Sequence, residues 1–374
     1  MKPVFIVLAF TIATLLNGCR KNEDGALPPP VRDPVLITSG YYYDAAGQYY
    51  KPVYWKYDKI VALPVPEQLS SYAYGIAQQG TDLIITGAYE SEDGERLYPC
   101  YWRNGVKVNL PSVELEAFEK IVAKDVLDWN GTLYILGAAD LAPVVWIIKN
   151  NLVVQTILVD TAFGVRSASN LHLYNNAIYI GGDKAVQQDG RTSFSVGYWK
   201  LASTGNATWH EVESDLKWAT AFYLTTSSGK LFITGDRNVV NDNSLDSYMA
   251  LWTKSGQLNL GPVDIPAAYR LSGVHAIGEG QLLLNAYDFN THRPLVFRIN
   301  ENGEVLENIR PQIPAGFRGY CTNVAVTKGK VAMGGNYHKG SSHIFWFNVG
   351  DEIFELEQPA NAVVSVTRSS WITP

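Results

Sequence analysis

The sequence predicts an all-β chain, a β-propeller of seven four-stranded antiparallel blades whose ring is closed by the C-terminal strand. Three observations carry that expectation. An aromatic pair or its equivalent recurs every 44 to 53 residues, a short apolar run usually ending in Gly precedes each pair, and residues 362–367 form a last β-branched run with no strand after it. Across 374 residues, Gly 32, Tyr 22 and Trp 10 stand against only 3 Met, and 47% of the chain is hydrophobic. That composition favours many short strands, tight turns and aromatic packing over helical bundles.

The aromatic pairs are Tyr54-Trp55, Tyr101-Trp102, Val145-Trp146, Tyr198-Trp199, Leu251-Trp252, Val296-Phe297 and Phe345-Trp346. Several run into a polar, Gly-containing turn, so each reads as a strand entering a hairpin. The upstream runs are residues 35–40, 83–87, 133–137, 178–182, 231–235, 282–286 and 331–335. They are mixed β-branched and aliphatic, the pattern of strands buried on both faces. Six are preceded by a turn signal, at Gln79-Gly80, Asn130-Gly131, Asn175-Asn176, Ser228-Gly229, Glu279-Gly280 and Lys328-Gly329. Such residues tolerate the left-handed backbone that two-residue turns demand. Ahead of these turns lie runs rich in small residues, for example 72–77 and 319–325.

Each unit therefore reads strand a, tight turn, strand b, long loop, strand c with the aromatic pair, short turn, and a weaker strand d such as residues 106–110. Radial repetition of such units protects the sheet edges. Small residues on strand a fit the crowded axis. A helical reading fails because the periodicity is near two and Gly interrupts repeatedly. The N-terminal region supplies strands b, c and d (from 35, 50–55 and 60–63) but no strand a. Residues 362–367 have the missing composition, with Ser369-Ser370 at the turn position. The alternative is six complete units and a partial one.

Lys2 precedes an apolar run over residues 4–16, too short to span a bilayer comfortably and followed by Leu16-Asn17-Gly18-Cys19. This segment resembles the lipobox of bacterial lipoproteins. The resemblance implies a signal peptide over 1–19, lipidation of Cys19 and a membrane anchor. Residues 20–34, charged and then proline-rich, read as a flexible tether, and 35–374 as the propeller domain. Glu23-Asp24 resembles the surface-export signal of Bacteroidetes lipoproteins, which implies outer-membrane or cell-surface placement. Cys100 and Cys321 show no metal spacing and read as buried apolar residues, although an exported protein could pair them. A net charge of -6 without basic clusters argues against nucleic acid. A monomer is expected.

Gly181-Gly182 and Gly334-Gly335, with aromatics in strand c, resemble kelch-type repeats. Residues 202–209 faintly resemble the Asp-box of sialidase-like propellers, but Thr204 and Asn206 replace its aspartate and glycine, so a sialidase is not supported. Over its whole length the chain resembles Bacteroidetes-type surface lipoproteins carrying a β-propeller with Tyr-Trp-Lys-Asn-Gly units. That resemblance implies location and no ligand.

The sequence contains no HExxH, GxSxG, Walker, Rossmann or CxxC motif. No cofactor and no metal is implied. Asn241 to Asp246 offers oxygens for calcium but matches no defined loop. His172 and His275 fall on inner strands and read as satisfied core residues. Asp160-Thr161-Ala162 resembles a Bacteroidetes O-glycosylation sequon. The polar b-to-c loops all leave one face, and a rigid scaffold usually carries function on loops. They nominate Tyr89, Asp183, Asp236, Arg237, Tyr287, Asp288, His292, Tyr337 and His338 as a ligand-binding rim. Aromatics with carboxylates suit sugar C–H groups and hydroxyls. The expectation is a binding module for a glycan or surface protein; the alternative is a carbohydrate-active hydrolase or lyase at the axial mouth.

Overall fold

The computed structural model describes residues 36–112, 115–160, 165–188, 190–202, 205–216, 218–241, 244–254, 256–258, 269–288, 290–310, 318–327, 330–339, 342–349, 352–358 and 362–372. The signal, lipobox and tether readings lie outside them. The described residues form four-stranded antiparallel sheets, seven in number, and no α-helix. Six sheets take their strands a to d consecutively from the chain. We number the sheets by the order of their b strands: Leu36–Asp44, Asp82–Glu90, Thr132–Ala139, Ala177–Gln188, Lys230–Asn241, Gln281–Asp288 and Lys330–Lys339.

The first sheet takes its strand a from the C-terminal Ala362–Ile372, which pairs antiparallel with Leu36–Asp44. One detail differs from expectation. Ser369 and Ser370 form no turn; they continue the ladder opposite Ser39 and Thr38, and Trp371 and Ile372 pair with Ile37 and Leu36. The reason is connectivity. In the other sheets a hairpin must link strands a and b, whereas here the two strands come from opposite ends of the chain and no reversal is needed.

The a strands lie side by side. Ser71–Gln79 contacts Ile121–Trp129, followed in turn by Val165–Tyr174, Trp218–Ser227, Tyr269–Gly278, Arg318–Thr327 and Ala362–Ile372, which contacts Ser71–Gln79 again. Each carries a register shift near its middle, between Ala73 and Ile76, Ala123 and Asp125, Ala168 and Leu171, Ala221 and Tyr223, Leu271 and Gly273, Cys321 and Asn323, and opposite Ser39 and Gly40. A bulge bends and twists a strand while leaving backbone groups without ladder partners. Here side chains take up that work. Thr86 accepts the N–H of Gly75 at 3.0 Å, Asp125 that of Leu171 at 2.8 Å and Asn170 that of Leu224 at 2.7 Å. The last two bonds cross between sheets.

The repeated Gly and Trp are one packing unit. The Trp of strand c lies over the Gly that ends strand b, so a Cβ on Gly182 would sit 2.3 Å from Trp199 Cζ3 and 2.5 Å from the Ser167 carbonyl. Gly87 under Trp102 and Gly137 under Trp146 are equally tight, at 2.6 and 2.4 Å. In the sixth sheet the smaller Phe297 replaces the Trp, and Ala286 stands where the others have Gly; both are buried in one cluster. Trp55, Trp102, Trp146, Trp199 and Trp252 are at most 1% exposed, yet each indole N–H finds a partner. The acceptors are the carbonyls of Glu357, Pro64 and Pro111 and the carboxylates of Asp160 and Glu213. For the last four, the acceptor lies on or just after strand d of the preceding sheet. In these five sheets the Trp thus ties its own sheet to its neighbour.

The segments read as long b-to-c loops are largely strand. Ala177–Gln188 and Arg191–Leu201 pair to the end, Gln188 opposite Arg191, and Lys230–Asn241 pairs with Ser244–Thr253 up to Asn241 opposite Ser244. Polar composition misleads here because the ladder is made by backbone groups, which polar residues carry as well as apolar ones. Gly190 supplies the positive φ, 72°, at one tip.

Candidate functional site

The predicted rim residues stand on b strands or just beyond them, in five different sheets, with Asp183 and Asp236 at mid-strand rather than at the strand ends. Asp183 is fully buried between the fourth and fifth sheets. Its Oδ1 accepts the Ser167 hydroxyl and, at 3.1 Å, the N–H of Ala221, so its carboxylate joins two sheets. Asp236 is half-buried in the fifth sheet, opposite Thr220 and Met249. Asp288 holds its own turn, accepting the N–H groups of Asn290 and Thr291 at 2.8 and 3.1 Å. Burial alone would raise its carboxyl, but the bonds from Thr291 and Asn290 outweigh it and hold the group below the usual carboxylate range. His292 closes the same turn through its N–H to the Asp288 carbonyl, at 2.6 Å. Tyr287 pairs with Arg270 and Pro294. Tyr89 packs on Tyr98 at 5.5 Å, with Lys107 Nζ 3.7 Å from its ring centroid. For Arg237, Tyr337 and His338 the description extends to the backbone register, opposite Tyr248, Ile344 and His343. Asp288 and His292 are brought together in one turn.

A tighter constellation lies on the a strands. Tyr223 and His275, on the fifth and sixth sheets, have ring centroids 5.4 Å apart, and His275 Nε2 is 3.4 Å from Asn285 Nδ2. His172 Nε2 is 2.8 Å from the Thr226 hydroxyl. Burial depresses both imidazoles to about 4 and pushes the Asp125 carboxyl up to about 6. Both histidines therefore occupy inner strands with a polar neighbour, as the alternation predicted. Among the described residues no group of three or more His, Cys, Asp and Glu could hold a metal. Cys100 and Cys321 are both buried, and burial raises the Cys100 thiol to about 12.

An aromatic-lined groove of about 670 Å³ opens on the opposite face, among the a-to-b and c-to-d turns of the fourth to sixth sheets. Its floor is Tyr174, Tyr179 and Tyr198, with successive ring centroids 5.6 and 5.4 Å apart and planes tilted by 58° and 53°. The turns position them. Asn175 and Asn176, at φ 45° and 57°, reverse the chain directly after Tyr174 and direct it into strand b, which carries Tyr179. Tyr198 stacks on His210 across the c–d pair, centroids 5.0 Å apart. Tyr174 donates its hydroxyl to the Gly229 carbonyl. Tyr179 and Tyr198, both lining the groove, are only 8% and 6% exposed, and neither hydroxyl has a hydrogen-bond partner among the described residues. Burial raises both phenols above their ordinary value, reinforced by the neighbouring tyrosines, so they remain neutral donors. The rim carries Lys230, paired with Glu301 at 2.8 Å, and Lys254, which has no carboxylate partner among the described residues.

The sequence reading missed this groove because its tyrosines sit inside the structural repeat. Tyr198 belongs to the same series as Tyr101, which is 2% exposed and packs in the core. The available signal was a Tyr in strand b, flanked by two further tyrosines within one unit.

No family model matches the chain, and no curated protein sequence matches it. Among solved structures it is similar to the polysaccharide lyase Uly1, at TM-score 0.50 and 11% identity, covering 86% of this chain and 88% of that one. It is also similar to the β-propeller domain of the Trilobed protease from Pyrococcus furiosus, at TM-score 0.49 and 11% identity, over 88% and 94% of the two chains. A prolyl endopeptidase matches at TM-score 0.43 and 11% identity over 78% of this chain, which spans only 42% of the enzyme's length. At these identities the likeness is one of fold. The arrangement of sheets, with strand a innermost and strand d outermost, is that of a β-propeller.

Proposed function

We propose that this chain is a lipid-anchored binding module of the bacterial cell surface, a seven-bladed propeller that captures a glycan. The blade count and ring closure are supported by the pairing of Ala362–Ile372 with Leu36–Asp44 and by the unbroken succession of a strands. The anchor on Cys19, the outer-membrane placement and the tether over 20–34 rest on the lipobox resemblance.

One observation carries the binding reading. Two tyrosines that line an open groove, Tyr179 and Tyr198, have hydroxyls with no hydrogen-bond partner among the described residues. A phenol hydroxyl both donates and accepts, so such a pair suits a ligand rich in hydroxyls. The volume falls in the range of small-ligand sites, and a concave cleft of this size fits sugar rings better than a flat protein surface. The partly exposed ring of Tyr174 offers the C–H contacts sugars use. The test is a glycan array probed with the full chain, followed by Tyr179→Phe and Tyr198→Phe. Each is expected to weaken binding about fivefold to tenfold, the worth of one hydrogen bond. Unchanged affinity in both would sink the reading.

A second reading, a carbohydrate-active hydrolase or lyase, draws on Tyr223 and His275, adjacent titratable groups on inner strands. It predicts product release from any glycan bound, abolished by His275→Asn.

A further inference from the structure

We infer that the groove selects an anionic glycan, one whose sugar ring rests against Tyr174, beside Tyr179 and Tyr198, while its carboxylate or sulfate meets Lys254. This inference rests on the glycan-binding reading and adds its charge class. Lys254 follows strand c of the fifth sheet and stands exposed in the c-to-d turn at the groove's edge. Its ammonium has no counter-charge among the described residues, in a chain whose formal charge is -6. The second lysine, Lys230, is held by Glu301 of the next sheet, with side chains 48% and 30% exposed. Such an exposed pair contributes little by itself and can exchange partners at small cost. Glu301 therefore acts as an internal competitor: an incoming anion near Lys230 must displace or tolerate it. Of the charges on the groove wall, two are positive and one negative.

The two open phenols add to this. As neutral O–H donors that resist ionisation, they bond oxyanions and sugar hydroxyls alike without adding negative charge. A neutral sugar would use the tyrosines and leave Lys254 idle, whereas an acidic peptide would use Lys254 and leave the tilted ring floor half filled. Only an acidic sugar engages both halves of the wall. A lysine ammonium is a point charge that does not distinguish a planar carboxylate from a tetrahedral sulfate, so both chemistries fit.

The experiment is calorimetric titration of the full chain with four probes: a galacturonate oligosaccharide, its methyl ester, a sulfated galactan oligosaccharide and polyglutamate. The galacturonate or the sulfated probe should bind about tenfold more tightly than the methyl ester, with the advantage shrinking as salt rises. Lys254→Gln should erase that advantage and leave methyl-ester binding unchanged. Glu301→Gln should strengthen the anionic probe about threefold by releasing Lys230. Both positions are surface-exposed, and unchanged thermal midpoints will establish that the variants fold. Equal binding of acid and ester overturns the charge inference and leaves the glycan reading standing. Polyglutamate binding as tight as the anionic sugars also overturns it, making the wall a general anion site. Binding by none of the sugar probes overturns both.

Discussion

Trp55 donates its indole N–H to the backbone carbonyl of Glu357 at 2.8 Å, across 302 residues of sequence. The same residue's neighbours join the pair a second way: the Glu357 carboxylate accepts the N–H of Ile60 at 3.2 Å, and the Glu357 N–H reaches the Asp58 carbonyl at 2.8 Å. The first sheet is therefore fastened to the end of the chain by side-chain and backbone bonds in addition to the ladder of Ala362–Ile372. Trp55→Phe removes one buried hydrogen bond and is expected to cost about 1 to 2 kcal/mol in urea unfolding. Deleting residues 361–374 strips an entire strand from Leu36–Asp44 and should lower the unfolding midpoint far more. Deleting residues 20–33 should leave it nearly unchanged.

The contact of Gly182 with Trp199 makes a steric prediction. Gly182→Ala has to move both a buried indole and backbone, and roughly 1 to 3 kcal/mol of destabilisation is expected. The sixth sheet supplies the converse. Phe297→Trp alone should destabilise because Ala286 occupies the space, and adding Ala286→Gly should recover part of the loss. A double-mutant cycle by chemical denaturation measures the coupling; additive effects would show that the two positions are independent.

Asp183 was a candidate ligand residue from sequence, and its surroundings predict a large effect on stability. Asp183→Ala leaves the N–H of Ala221 and the Ser167 hydroxyl without their acceptor between two sheets. A loss of about 2 to 4 kcal/mol is expected, because one buried and one half-buried donor lose their partner. Thermal unfolding of the variant checks this, with Asp183→Asn recovering part of the loss.

The buried titratable groups predict a stability profile in acid. His172 and His275 titrate near 4 in the fold against 6.5 when unfolded, so the unfolded chain binds more protons between those values. Their contribution is full above 6.5 and falls as pH drops toward 4. Asp125 opposes them. Its folded value near 6 exceeds the unfolded 3.8, so it gains stability as pH falls across that interval. Two histidines against one carboxyl leave a net loss on acidification from 6.5 to 4. Asp125→Asn should steepen that loss, while His275→Asn should flatten it, as read from urea midpoints at stepped pH.

Much of the fold was legible because its determinants are local and repeated. Alternating apolar residues, Asn-Gly and Asn-Asn turns, and a Trp every blade-length report on strands and hairpins, each defined by residues close in sequence. The orphan strand at the C-terminus could be matched with the N-terminal unit by composition alone. Its final register could not: Ser369-Ser370 has the chemistry of a turn and becomes ladder because no link to Leu36 is required.

What only the tertiary structure decided is which side chains remain open. Asp183 and Asp288 look alike in sequence, a carboxylate at the end of strand b. One is enclosed by the next sheet and the other folds onto its own turn. Tyr101 and Tyr198 occupy the same place in their units and both pack in core clusters, yet Tyr198 also borders a groove. The sequence by itself determined the repeat, and with it the strands, turns and aromatic ties. Exposure of a given hydroxyl or carboxylate depends on the neighbouring sheet, whose residues lie about a blade-length or more away along the chain, and no periodicity records how that surface meets it.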